Sequence, residues 1–146
     1  MKTYNTILVA IDLTKESNEV IERAQSISDT HNSSLHIVHV VEPFYFPYNE
    51  NIVIDLASLE LETERNAKIQ LKTFGNRFQI PETHQHLLLG SSAKKIHELA
   101  EDLSADLIVV GSHGRSGFSL LLGSTANGVL HGSKCDVLAV RVATTA

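Results

Sequence analysis

The chain has 146 residues, 42% of them hydrophobic, which fits one domain over residues 1–146 with a sizeable core. Its 12 Lys and Arg residues are scattered and its net charge is −5, so nucleic acid is not an expected partner. No apolar run reaches the length of a bilayer span, and the first residues lack signal-peptide character. We therefore expect a cytoplasmic protein without membrane contact, and the single cysteine, Cys135, agrees with a reducing compartment.

The first half of the chain predicts strands that alternate with helices. A continuous apolar run, Ile7–Ile11, is typical of a parallel strand buried on both faces, and it stops at Asp12. Apolar residues at three- and four-residue spacings then predict a helix, for which Thr14 and Ser17 offer caps. A second strand of the same buried type follows over Leu35–Val41.

The rest of the chain continues this alternation. The further predicted elements are a long helix from about Asp55 to Phe78, an exposed strand over Thr83–Leu89, a helix after Ser92, a buried strand over Leu107–Val110, a helix over Thr125–His131 that buries Val129 and Leu130, and a fifth strand over Val137–Val142. The long helix is amphipathic, with Leu59, Thr63, Ala67, Leu71 and Phe74 on its apolar face. Such alternation predicts an α/β fold with a single doubly wound sheet and about four helices on its two faces.

Doubly wound sheets bind ligands outside the carboxyl ends of their strands. Four features converge there: Asp12, the strand end near Val40, the glycine loop of Gly111 and Gly114, and the helix start at Gly123–Thr125. A glycine loop followed by a helix start can bind phosphate, because glycine allows positive φ or close backbone approach and the first-turn N–H groups are free. The same glycines also fit a tight turn, and Ser124 or Thr125 an ordinary cap, so both interpretations stay open.

Other sites of chemistry are not supported by the sequence. It contains no P-loop, no dinucleotide-binding glycine motif and no nucleophile elbow, so no catalytic residue is predicted. His84 and His86 share one face of a predicted strand, but no third ligand is spaced to join them. His36 and His39 point to opposite strand faces and cannot act as a pair. We therefore expect no metal held by protein side chains alone.

Several segments together carry a resemblance to a known family. They are Ile7–Asp12, Ile37–Val41, Asp106–Arg115, Leu122–Ala126 and Cys135–Arg141. The chain resembles the universal stress protein family along essentially its whole length, and this resemblance implies five mostly parallel strands in the order 3-2-1-4-5. One branch of that family binds ATP through the motif G-x2-G-x9-G-[ST], and its glycines match Gly111, Gly114 and Gly123 in this chain.

The resemblance also implies a set of nucleotide-binding residues. The nucleotide would be ATP, ADP or AMP, and an ion such as Mg²⁺ would be bound by its phosphates. The implied set is Ala10, Asp12, Val40, Val110, Gly111, Gly114, Arg115, Gly123, Ser124 and Thr125. Within it, Ser124 and Thr125 would contact the phosphates. Ala10, Asp12, Val40 and Val110 would hold the adenosine. Arg115 either leans over the phosphates or is exposed to solvent.

The chain departs from the family motif at one point, because Arg115–Leu122 is eight residues long rather than nine. A shorter loop would favour a diphosphate or monophosphate over ATP, unless a tighter turn at Gly117 absorbs the difference. We expect a stress-response protein that binds an adenine nucleotide and signals by conformation. The alternatives are a slow ATP hydrolase or phosphotransferase and a nucleotide-free dimeric scaffold. The implied strand order leaves Val137–Val142 as an apolar edge, which predicts a homodimer through that strand.

Overall fold

The computed structural model describes residues 2–43, 56–112 and 123–142. The elements, in chain order, are β1 (Thr6–Ala10), α1 (Ser17–His31), β2 (Ser34–Val41), α2 (Leu56–Arg77), a 3-10 turn (Glu82–His84), β3 (Gln85–Leu89), α3 (Ser92–Leu103), β4 (Leu107–Gly111), α4 (Ser124–Leu130) and β5 (Asp136–Val140). The predicted order of strands and helices is confirmed. Two predicted site residues, Gly114 and Arg115, and the turn residue Gly117 lie outside the described residues. No helix in the described ranges is long and apolar enough to cross a membrane.

The five strands form one sheet in the order β3-β2-β1-β4-β5, and each neighbouring pair is parallel. The strand order and the doubly wound α/β class are therefore confirmed. The central strand β1 pairs with β2 on one side and β4 on the other, with Val9 opposite both Ile37 and Val109. The chain crosses from one half of the sheet to the other between β3 and β4, so the topological switch point, where a crevice is expected, lies between the neighbouring strands β1 and β4.

Alternation along the strands produces two separate hydrophobic cores. Ile7 and Val9 of β1 point to the face covered by α1 and α2, whereas Leu8 points to the face covered by α3 and α4. All three side chains have no solvent-exposed surface. Each face of β1 is thus sealed by a pair of helices, which explains why the strand is continuously apolar.

Two helices bury less than their sequence patterns predict. In α4, Ala126 and Val129 are buried, but Leu130 is 51% exposed, so the prediction that Leu130 is buried is wrong. In α2, burial begins at Ala67 and continues through Leu71 and Phe74, while Leu59 is exposed. The N-terminal half of α2 therefore extends past the sheet. Its polar side chains are left to line the space above the strand ends.

Three histidines meet at the β2–β3 side of the sheet. His36 of β2 has its Nδ1 3.0 Å from Nε2 of His86 in β3, and its ring stacks on that of His84 with centroids 4.0 Å apart. Parallel pairing of β2 with β3 brings His36 beside His84 and His86, a proximity that spacing along the sequence does not show. Even so, no group of three His, Cys, Asp or Glu residues in the described ranges is arranged to hold a metal ion.

The histidine cluster makes stability depend on pH. Burial, followed by the charges of His84 and His86, lowers the pKa of His36 from 6.5 to about 4, and burial followed by His84 lowers the pKa of His86. Between pH 6.5 and pH 4, His36 is protonated in more of the unfolded chains than of the folded ones, so the unfolded state binds more protons. The free energy of unfolding should therefore fall as the pH drops from 6.5 to 4, by about 3 kcal/mol for His36 alone. Urea denaturation at a series of pH values measures this loss.

The His36→Leu variant should lose much of this acid dependence, because leucine carries no titrating group and has no charged form to desolvate at a site that is 8% exposed. The exposed His131 provides the control, and His131→Gln should keep the full dependence. An unchanged pH profile in His36→Leu would show that the cluster does not control acid stability.

Candidate functional site

A crevice of about 880 Å³ opens at the carboxyl ends of β1, β2 and β4. The predicted site residues that line it are Ala10, Asp12, Val40, Val110, Gly111, Gly123, Ser124 and Thr125. These are all of the predicted site residues within the described ranges. Its volume falls in the range of pockets that bind small molecules and cofactors. The sequence therefore predicted correctly that these residues come together, while their part in binding stays a prediction.

Asp12 is fixed by the turn that follows β1. Its Oδ1 accepts hydrogen bonds from the Thr14 backbone N–H at 3.0 Å, the Thr14 hydroxyl at 2.6 Å and the Ser17 hydroxyl at 2.9 Å. Leu13, between them, has a left-handed backbone with φ of 65°. Such backbone strain in a non-glycine residue often accompanies a functional turn. Thr14 and Ser17 thus orient Asp12, whereas the N-cap residue of α1 is Glu16 and its side chain makes no capping bond.

The hydrogen bonds of Asp12 favour its charged form. Partial burial raises the pKa of its carboxyl group, but the hydrogen bonds from Thr14 and Ser17 outweigh burial and hold the pKa below its usual value. The Thr14 and Ser17 donors all go to Oδ1, and none of them goes to Oδ2. The turn therefore presents an ionised carboxylate with one oxygen available to accept a hydrogen bond from a ligand.

The start of α4 forms the opposite wall of the crevice. Gly123 is the N-cap residue, and its N–H donates to the Ser112 carbonyl at 3.2 Å, which ties the helix start to the end of β4. The expectation that Ser124 or Thr125 caps this helix is wrong, because both lie in the first turn and no side chain caps it. Both are exposed, and their hydroxyl groups bond to no other described residue. These hydroxyls and the first-turn N–H groups remain available to a ligand.

Gly111 has a different role from the one its loop position suggested. It is the last residue of β4, without the positive φ that the sequence pattern allowed for. A Cβ atom at this position would lie 3.3 Å from Cγ2 of Val20 and 3.6 Å from Cγ2 of Val142. Glycine therefore lets α1 and the end of the chain approach β4 closely beneath the crevice.

The two sides of the crevice differ in chemistry. On the α3–α4 side, the small apolar residues Ala10, Val40 and Val110 lie with Ile96 and Ala126. Such a wall suits a flat apolar ring rather than a charged group. On the α2 side, the lining is mostly polar, with His39, Thr63, Asn66 and Gln70 beside Ala67.

The polar wall was missed by the sequence analysis, although a signal for it existed. His39 immediately precedes Val40, so strand alternation places it on the other side of the sheet. Thr63, Asn66 and Gln70 recur at three- and four-residue spacings on the face of α2 that becomes apolar only from Ala67 onward. A helical face that changes from polar to apolar halfway along indicates a helix that leaves the core and borders a cleft.

Three acidic residues line the crevice. Glu16 and Glu42 line it together with Asp12, and no Lys or Arg residue is among its described lining residues. The Glu42 carboxylate accepts hydrogen bonds from the Ser92 hydroxyl at 2.8 Å and the Ser92 N–H at 3.3 Å. Glu42 therefore neutralises the start of α3, whereas no side chain caps the start of α4, which remains available to an anion.

Comparison with known proteins agrees with the fold. The model of the universal stress protein family, Usp, matches residues 3–141. Universal stress protein A homolog 1 of Coxiella burnetii is 43% identical over 138 residues, which cover 94% of this chain and 96% of that protein. Universal stress protein UspA from Lactobacillus plantarum has the same fold, with a TM-score of 0.80, 22% identity, and coverage of 97% of this chain and all of that one.

A further solved structure is a universal stress protein in complex with cAMP. It has a TM-score of 0.68 and 26% identity to this chain, with coverage of 97% of this chain and all of that one. The fold and the switch-point crevice define an α/β protein of the doubly wound class. Within that class, the chain belongs to the universal stress protein family.

The Asp12 turn yields a prediction about stability. In Asp12→Ala, the Thr14 and Ser17 donors lose their acceptor, and the Ser17 hydroxyl is left in a site that is 2% exposed. The free energy of unfolding should fall by about 1–3 kcal/mol, which is typical for a buried donor left without a partner. Urea denaturation at pH 7 measures the change.

Asp12→Asn is the matched control, because its amide oxygen can still accept these hydrogen bonds. It should lose less than half as much stability as the alanine variant. Equal losses in the two variants would mean that the charge of Asp12, rather than its hydrogen bonds to the turn, provides the stabilisation.

Proposed function

We propose that this protein binds an adenine nucleotide in the crevice and takes part in the stress response through binding rather than turnover. The observation that carries this proposal is the position of Asp12 and the start of α4 on opposite walls of one crevice, both with unused hydrogen-bonding groups. The solved relative in complex with cAMP supports the choice of ligand class. The reducing compartment suggested by Cys135 is consistent with action in the cytoplasm.

The chemistry of each wall matches one part of a nucleotide. The apolar wall of Ala10, Val40 and Val110 suits the base. The free carboxylate oxygen of Asp12 suits the ribose hydroxyls, as acidic residues do in other doubly wound nucleotide-binding proteins. The hydroxyls of Ser124 and Thr125 and the first-turn N–H groups suit a phosphate. Gly114 and Arg115 lie outside the described residues, and their part in binding stays a prediction.

The charges at the crevice favour binding over phosphoryl transfer. Asp12, Glu16 and Glu42 bring negative charge near the proposed phosphate position, and the described lining contributes no Lys or Arg to offset it. Enzymes of phosphoryl transfer rely on cations placed around the transferred group. A nucleotide with more than one phosphate would therefore need Mg²⁺ on its phosphates, and the short Arg115–Leu122 loop favours ADP or AMP.

Copurification and thermal stability test this function. Nucleotide released from the denatured wild-type protein should match an ATP, ADP or AMP standard by chromatography. A saturating amount of that nucleotide should raise the Tm of nucleotide-free protein by about 5 °C or more. In Gly123→Val, the valine side chain occupies the helix start, and the shift should fall below about 1 °C.

Asn127→Val is the matched control, because Asn127 is exposed and lies one turn further along α4, away from the crevice lining. It should keep the wild-type Tm shift. Wild-type protein that releases no nucleotide and shows no shift with ATP, ADP or AMP, with or without Mg²⁺, would contradict the proposal and favour the nucleotide-free scaffold.

A homodimer through β5 is a second proposal, supported by the edge position of that strand. Val137 and Leu138 are half-buried and Ala139 is exposed, so an apolar strand edge faces outward. The Val140 carbonyl accepts a hydrogen bond from the Ser112 N–H at 2.8 Å, which shows that the backbone of Val140 points toward β4. The neighbouring backbone groups of Ala139 therefore point away from the sheet, toward the proposed partner.

Proline at position 139 should remove an outward N–H without removing a bond to β4, since proline is tolerated on edge strands. We expect wild-type protein to sediment as a dimer and Ala139→Pro as a monomer with unchanged circular dichroism. Ala139→Ser should remain dimeric. A monomeric wild-type protein, or a dimeric proline variant, would contradict pairing through β5.

A further inference from the structure

His39 lies at the carboxyl end of β2 with its ring held in one orientation. Its Nδ1 is 2.7 Å from the backbone carbonyl oxygen of Ile11. A carbonyl oxygen can only accept a hydrogen bond, so Nδ1 carries the proton and donates. The neutral ring then has an unprotonated Nε2 that can only accept. No described residue donates to Nε2.

On the α2 side of the crevice, where His39 lies, the lining carries three uncharged polar residues and Ala67. Thr63, Asn66 and Gln70 of α2 line the same side of the crevice, and the side chains of these three residues bond to no other described residue. The adjacent Val40 belongs to the apolar wall on the other side of the sheet. A planar ligand that lies across the end of β2 can thus pack against Val40 and reach His39 with its polar edge.

The geometry points to His39 as the residue that selects the base: Nε2 accepts a hydrogen bond from the exocyclic 6-amino group of adenine, with the carboxamides of Asn66 and Gln70 beside the same edge. This inference rests on the proposed nucleotide function. A purine with a 6-oxo group would place a carbonyl oxygen against the Nε2 lone pair. Two facing acceptors leave a polar group unpaired, which is a strong source of discrimination between ligands.

Inosine nucleotides test this assignment, because inosine differs from adenosine in having a 6-oxo group in place of the 6-amino group. Wild-type protein should bind AMP about tenfold or more tightly than IMP, as measured by calorimetry. The informative variant is His39→Asn, because the asparagine amide can occupy the place of Nδ1 and donate to the Ile11 carbonyl. It should therefore keep the fold of the site while lacking Nε2.

In His39→Asn, we expect AMP to bind less than about threefold more tightly than IMP. A purely structural role for His39 would weaken both nucleotides equally and leave their ratio unchanged, so an unchanged ratio overturns the assignment. The exposed His131 supplies the control, and His131→Asn should keep the wild-type ratio. Wild-type protein that binds neither AMP nor IMP, nor ATP nor ITP with Mg²⁺, would overturn the proposed function and this inference with it.

Discussion

The crevice depends on how β2 fixes the backbone of Ile11 at the end of β1. The Ile11 N–H donates to the Val38 carbonyl at 2.9 Å, and the Ile11 carbonyl accepts from Nδ1 of His39 at 2.7 Å. With both polar backbone groups of Ile11 held, the chain leaves the sheet in one direction at Asp12. The left-handed turn at Leu13 and the start of α1 follow from that direction. The position of the Asp12 carboxylate is therefore a consequence of β1–β2 pairing.

The two unlike walls of the crevice follow from the alternation of side chains in parallel strands. The central strands must be apolar on both faces, because helices cover both faces of the sheet. That requirement ends at the carboxyl ends of the strands, where consecutive residues of β2 differ in polarity. Val40 belongs to the apolar core beneath α3 and α4, while His39 faces the α2 side. One strand end thus offers an apolar surface and a hydrogen-bond acceptor side by side. The proposed recognition of a base needs both.

The sequence predicted the fold well because burial on both faces leaves a strong pattern in β1, β2 and β4. It also predicted that Asp12, Val40, Gly111 and Gly123 meet, since the carboxyl ends of parallel strands share one edge of the sheet. It did not predict the contact between His39 and Ile11 or the cap that Glu42 provides for α3. Those contacts depend on side-chain rotamers and on distances between segments far apart in sequence, which a residue pattern does not contain.

The histidine cluster is a second arrangement that the sequence pattern could not predict. Alternation predicts His84 and His86 on one face of a strand, but in the structure His84 ends a 3-10 turn and only His86 lies in β3. The proximity of His36 to His86 depends on the register that sets Val38 opposite His86. A slip of one residue between β2 and β3 would move His86 to the other face of the sheet and separate the pair. Strand register is fixed here by the apolar residues that alternate with the histidines, Ile37 and Leu87 among them. The polar cluster at the sheet edge is therefore built by the packing of its apolar neighbours.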